Sequence, residues 1–254
     1  MTDRNGGRMP LIEHFRELRK RVVRAALAIA LFSTVGWVFY KSIVKVLTKP
    51  VCNLNSIAAA AKHCGVLYID GALGPLNLQI SVSIVTGVIL SSPIWLYQLW
   101  AFIAPALHNK EKKYSVAFIA AATPFFVAGV ALAYWILPIA IRVLLGFTPT
   151  NLANLIKFSD YLSFVLHLIL LFGLAFELPV LLVALNFAGV VSGRAIIKPW
   201  RIAVFGITLF SATFVPTSDP FTMLLLAVPL VVFYFMAAGI SIANDRRRSR
   251  SAAE

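Results

Sequence analysis

Charge is what this chain has least of. Only 13% of its 254 residues are Asp, Glu, Lys or Arg, against roughly 25% in ordinary soluble domains. Together with 60% hydrophobic residues and a mean hydropathy of +0.86, that scarcity excludes a soluble globular domain and makes the chain an integral membrane protein. Acids are scarcer than bases, 10 against 23, for a net charge of +13. In a membrane chain such an excess speaks first to orientation, and no nucleic-acid partner is expected from it. Cysteine is nearly absent. Cys52 and Cys64 share one predicted loop, where a bridge would contribute roughly 3 kcal/mol in the chain-entropy model. The sequence leaves the bridged and the free forms open, and no metal site follows from the pair. Also missing are a phosphate loop ending in Lys-Ser or Lys-Thr, a Gly-x-Ser-x-Gly elbow and a His-Glu-x-x-His pair. The four histidines, His14, His63, His108 and His167, are scattered over different segments. The expectation is a protein that is not an enzyme, uses no ATP and carries no cofactor or metal.

Long apolar runs are what the chain does have. They predict an all-α integral membrane protein with a membrane unit over 11–240, six spans at about 22–40, 76–104, 114–137, 161–187, 199–215 and 220–240, a mobile tail over 1–10 and a disordered basic tail over 241–254. The first span has the basic start and apolar core of a signal peptide, but its roughly 19 apolar residues and the five spans after it predict a retained anchor. The 41–74 connection reads as an ordered surface cap with one short helix around 56–62. Pro93 is expected to bend the second span, Pro138 to close the third, and Glu177 with Pro179 to interrupt the fourth. The fifth span, 17 residues at 1.5 Å each, reaches about 25 Å, short of a hydrocarbon core of about 30 Å. With six spans both termini share a side. That side collects 17 Lys and Arg, and the other side six, which puts both termini in the cytoplasm.

The stretch Ser91 to Lys113 organises the rest. It leaves the second span through an aromatic group of Trp95, Tyr97, Trp100 and Phe102, turns at Pro105 and ends with Glu111 among Lys110, Lys112 and Lys113. Rings of this kind are expected at headgroup level. Glu17 lies in the basic amphipathic start of the first span, one helical turn before Arg21, with which it can form an exposed pair. Glu177 lies inside the fourth span, where an ionised side chain costs roughly 2.5 to 3.5 kcal/mol. It must be protonated, paired or hydrated, and a backbone carbonyl freed by Pro179 is one available partner. Asp219, just before Pro220, suits a helix cap. His167 stands about 80° around the helix from Glu177, so the two are not expected to form a proton relay, and His167 reads as a satisfied core residue. Tyr134, Pro138, Phe125 and Gly129 read as packing.

Ser92-Pro93, Tyr97-Gln98, Trp100, Phe102-Ile103, Pro105, Leu107 and Glu111, in this order, closely resemble the first cytoplasmic loop of the TatC family, the receptor subunit of the twin-arginine protein translocase. His14-Phe15-Arg16-Glu17-Leu18-Arg19 resembles that family's amino-terminal motif, although Arg16 stands where many relatives are uncharged. Phe176-Glu177-Leu178-Pro179 matches its fourth-span motif. The likeness runs from about His14 to Tyr234. It implies a concave six-helix scaffold in a prokaryotic cytoplasmic membrane. Folded cargo would cross at the expense of the protonmotive force, with TatA-like and TatB-like single-span partners in an oligomeric complex. By the same resemblance Glu17 and Glu111 would hold the two signal-peptide arginines, as planar guanidinium forks suit carboxylates. Arg19, Gln98, Phe102 and Leu107 would support that site, Glu177 would form an intramembrane polar patch, and Asp219 would be the family's outer-turn acid. A small proton-coupled permease carrying its proton on Glu177 is the alternative, weakened by the absence of a repeat between the halves.

Overall fold

The computed structural model describes residues 11–54, 67–69, 71–103, 112–146, 156–214 and 220–251. Within them the chain forms nine helices and one two-stranded ladder. They are α1 (Leu11–Val38), α2 (Tyr40–Leu54), β1 (Leu67–Tyr68), α3 (Gly74–Leu90), α4 (Ser92–Ile103), α5 (Lys112–Gly146), β2 (Ile156–Lys157), α6 (Phe158–Phe187), α7 (Gly193–Ile197), α8 (Trp200–Phe214) and α9 (Pro220–Ser251). Helix dominates because a chain crossing lipid must satisfy its backbone polar groups internally. Four of these helices are long and apolar enough to cross a membrane. The α3–α4 pair, bent by 63° at its break, is long and apolar enough only when its two helices are taken together, and α8 is a shorter apolar helix.

The bend falls at Ser91, two residues before Pro93. Proline lacks the N–H an inner turn needs and would clash with the carbonyl four residues back. The chain instead ends α3 at Leu90 and starts a new helix in which Pro93 occupies the first turn, where no donor is required. Trp95 holds the corner: its indole Nε1–H donates across the bend to the Val88 carbonyl at 2.9 Å, and its ring meets Phe126 edge-on with centroids 5.5 Å apart.

Helix α6 is the axis of the bundle. Leu162, Val165, Leu168 and Phe172 are fully buried between α5 and α9, whereas α1 keeps Leu27, Leu31 and Val38 largely exposed, as suits a helix at the rim facing lipid. Two crossings depend on glycine. On α5, a Cβ added at Gly129 would meet the Phe172 carbonyl oxygen at 2.5 Å; on α6, one added at Gly173 would meet the Phe126 ring at 2.8 Å. Gly36 of α1 and Gly87 of α3 repeat this reciprocal arrangement against Ser83 and Ser33. Small residues at helix crossings let backbones approach closely, and in lipid such packing carries association.

Several segments differ from the sequence expectation. Residues 40–54, read as the start of a cap, form α2, which lies on the core through Leu47 and Val51. Its carbonyls of Val46 and Leu47 accept from the Tyr134 and Tyr161 hydroxyls, at 3.2 and 2.6 Å. The short helix expected around 56–62 lies outside the described residues. β1 pairs parallel with β2, Leu67 opposite Ile156. Helix α5 continues through Pro138 to Gly146 and α6 through Pro179 to Phe187. Proline costs a helix one hydrogen bond and a local bend, and the packing on neighbouring helices outweighs that here. Helix α9 runs on to Ser251, so most of the supposedly disordered basic tail is helical.

Candidate functional site

The amino-terminal half of α1 and helix α4 enclose an apolar groove of about 230 Å³. Leu18, Arg21, Val22, Ala25 and Ile29 form one wall, spaced as one helical face, and Trp95, Gln98, Leu99 and Phe102 form the other. The groove exists because α4 is turned by the Ser91 bend so that it leans on α1. Glu17 stands beside it, half-buried, its Oε1 accepting from Arg21 Nε at 3.1 Å and from Arg21 Nη2 at 2.5 Å. An (i, i+4) pair of this kind contributes about 0.3 to 0.5 kcal/mol, so a better guanidinium ligand can displace it at small cost. Arg21 also borders a second concavity of about 300 Å³ shared with Arg16, Glu17, Lys20 and Arg24. Among the described residues lining this concavity, Glu17 is thus the one carboxylate among four cations, and Arg21 joins it to the apolar groove.

Of the residues expected at the site, Gln98 and Phe102 share this groove, with Glu17 at its edge through Arg21. Gln98 brings a buried side-chain oxygen that has no hydrogen-bond partner among the described residues. Arg19 is exposed and lines neither concavity. Leu107, Glu111, Asp219 and Cys64 lie outside the described residues; Cys52, on α2, is disulfide-bonded. The aromatic group divides. Tyr97 faces outward, but Trp100 is buried and stacks on Phe118 with centroids 4.3 Å apart, so it belongs to the core and not to a headgroup girdle.

Glu177 belongs to a different place. It is 9% exposed, and neither carboxyl oxygen has a hydrogen-bond partner among the described residues, so the bond to a carbonyl freed by Pro179 is not made. The contacts of Gly129 with Phe172 and of Gly173 with Phe126 fix the register of α5 against α6. One turn further along, that register sets Glu177 level with Thr123, whose hydroxyl is also buried and without a partner among the described residues. His167 turns outward and not into the core, its Nδ1 donating to the Ser163 carbonyl at 2.6 Å.

One cluster escaped the sequence reading. Asn186, 1% exposed at the end of α6, donates from Nδ2 to Asp245 Oδ1 at 2.8 Å and to the Val191 carbonyl at 2.9 Å, and accepts from Asn244 Nδ2 at 3.0 Å. Asp245 Oδ2 accepts from the Gly193 N–H at 2.7 Å. A lone acid ahead of four arginines, and an Asn ending an apolar helix, were the available signals.

No cluster of His, Cys, Asp and Glu among the described residues could hold a metal. The model for TatC, the Sec-independent protein translocase protein, matches residues 13–229. The chain is 41% identical to TatC of Xylanimonas cellulosilytica, over 97% of this chain and 88% of the relative. It is 31% identical to TatCy of Bacillus subtilis, over 100% and 96%. A crystal structure of the twin-arginine translocase receptor TatC superposes with a TM-score of 0.76 at 31% identity, covering 90% of this chain and 99% of that one. With family model, relatives and fold in agreement over nearly the whole chain, this multi-pass membrane protein belongs to the TatC family of Sec-independent protein translocases.

Proposed function

We propose that the chain is the receptor and scaffold subunit of a twin-arginine translocase, binding the two signal arginines through Glu17 and Glu111. The observation that carries this reading is the carboxylate of Glu17 at the edge of the α1–α4 groove. A signal peptide has an arginine pair followed by an apolar stretch, and a carboxylate followed by an apolar channel is its complement. Gln98 and Phe102 would line the path of the peptide, Leu107 would continue it, and Arg19 would act from the exposed face. Both termini would lie in the cytoplasm, in a prokaryotic cytoplasmic membrane. TatA-like and TatB-like single-span subunits would complete the oligomeric assembly, and the protonmotive force would drive the folded cargo across. Asp219 would cap α9 at the outer turn, and Cys52 would be bridged to Cys64, the chain's other cysteine.

The test is photo-crosslinking from position 102 to signal peptides carrying two arginines or two lysines. Labelling should require the arginines and fall about tenfold or more in Glu17→Gln and in Glu111→Gln, the loss of roughly one charge-assisted hydrogen bond in each. Arg21→Gln should raise it about twofold, by freeing Glu17 from its helix partner. Equal labelling by both peptides in every variant sinks the receptor reading.

Glu177 supplies the intramembrane polar patch in this reading, at a cost the fold itself does not require. Glu177→Leu is therefore expected to leave thermal stability unchanged or raise it by about 1 to 3 kcal/mol, while transport of cargo is lost. A drop in both together would make Glu177 a structural residue. Proton-dependent solute uptake by the chain alone, abolished in Glu177→Leu, would instead favour a permease.

A further inference from the structure

Helices α7 and α8 follow one another with little break: the Lys198 N–H donates to the Arg194 carbonyl and the Ala203 N–H to the Pro199 carbonyl, each at 3.0 Å. Arg194 in α7, Lys198 in the turn between the two helices and Arg201 in the first turn of α8 therefore follow one another at spacings of four and three, and all three are exposed. No Asp or Glu occurs between Glu177 and Asp219. The acid that approaches this region, Asp245, has both oxygens engaged by Asn186 and the Gly193 N–H, and none of the three cations has an ion-pair partner among the described residues. Arg201 is held in place by the face of Trp200, its guanidinium carbon 5.5 Å from the ring centroid. Helix α8 continues from Arg201 with exposed apolar residues, Ile202 at 74%, Phe205 at 68% and Leu209 at 55%. Between them Gly206 leaves a notch, with nothing within 4 Å of where a Cβ would stand.

Three cations without an ion-pair partner among the described residues, leading into a notched and exposed apolar strip, match a molecule with an anionic phosphate at one end and a hydrocarbon chain at the other. We infer that Arg194, Lys198 and Arg201 form the headgroup site for an anionic glycerophospholipid whose acyl chain lies along Ile202, Phe205 and Leu209 over Gly206. Basic residues at a membrane surface attract anionic headgroups, and the exposed Trp200 places this level of the helix at the interface. Helix α8, at 15 residues, spans only about 22 Å. A lipid held at its end would fix the local bilayer depth around that short helix.

The test uses the purified full chain, with lipid binding followed by native mass spectrometry during titration with phosphatidylglycerol or phosphatidylcholine. The wild type should bind phosphatidylglycerol at least tenfold more tightly. Lys198→Gln with Arg201→Gln should lower that affinity about thirtyfold, from roughly 1 kcal/mol per basic residue. Arg142→Gln, at an exposed cation on another helix, should leave it unchanged. Gly206→Leu, which fills the notch, should weaken binding without altering the preference for the anionic headgroup. All four positions are exposed, and circular dichroism with size-exclusion profiles checks that each variant is folded. Equal binding of the two lipids overturns the inference, as does an equal loss in Arg142→Gln. Displacement of the lipid by soluble glycerophosphate over the same concentration range would reduce the site to one for phosphate alone and overturn its acyl half.

Discussion

Gly129→Ala is expected to destabilise the protein by about 2 kcal/mol or more, and Gly173→Ala by much less, although the two glycines face each other across the same crossing. At Gly129 the added methyl would sit 2.5 Å from the Phe172 carbonyl oxygen and 3.0 Å from its carbon. Those are backbone atoms of the most buried helix in the bundle, and they move only if α5 and α6 separate. At Gly173 the nearest atoms belong to the Phe126 ring, the closest 2.8 Å away, and a ring can tilt. Alanine gains up to about 1 kcal/mol of helix propensity over glycine at either position. Overpacking that needs backbone movement costs typically 1 to 3 kcal/mol and occasionally more, and at Gly129 it dominates. Thermal midpoints in detergent, read from the fraction that stays monodisperse, measure the difference. Phe126→Leu should rescue Gly173→Ala and leave Gly129→Ala unaffected. A Gly129→Ala protein as stable as wild type would mean that the helices are not in the contact described.

Asp245→Ala should cost about 2 to 6 kcal/mol although the residue lies beyond the apolar part of α9. Removing the carboxylate leaves two donors without acceptors, one Nδ2 hydrogen of the buried Asn186 and the Gly193 N–H, at about 1 to 3 kcal/mol each. Alanine has no hydrogen-bonding group to offer either. The α6–α7 turn, where Gly189 takes φ +75° to end α6, would lose its hold on α9. Thermal unfolding and proteolysis within 189–200 read the effect. Asp245→Asn, which can still accept one of the two bonds, should fall between wild type and alanine, and Arg246→Gln, one residue on and exposed, should be near neutral. Equal stability of Asp245→Ala and Arg246→Gln would dismiss the cluster as a latch.

Much of the candidate site could be read from the chain. Glu17, Gln98 and Phe102 stand in motifs whose spacing is local, and local spacing survives folding. Their meeting did not follow from it, because the α1–α4 groove exists only where the Ser91 bend turns α4 toward α1. The same limit explains the aromatic group: sequence gives Trp95, Tyr97 and Trp100 one composition, and only contact with Phe118 and Phe126 of α5 separates core rings from a lipid-facing one.

Composition and hydropathy by themselves determined that this is an all-helical membrane protein, since apolar runs without enough polar surface must lie in lipid and lipid demands a satisfied backbone. Motifs quoted in order determined the family. Tertiary structure alone decided where helices end, how they cross and which polar groups are paired. Proline did not stop α5, and a basic tail did not disorder α9, because packing across helices and the Asp245 bonds outweigh local propensity, and those partners lie tens of residues away in the chain.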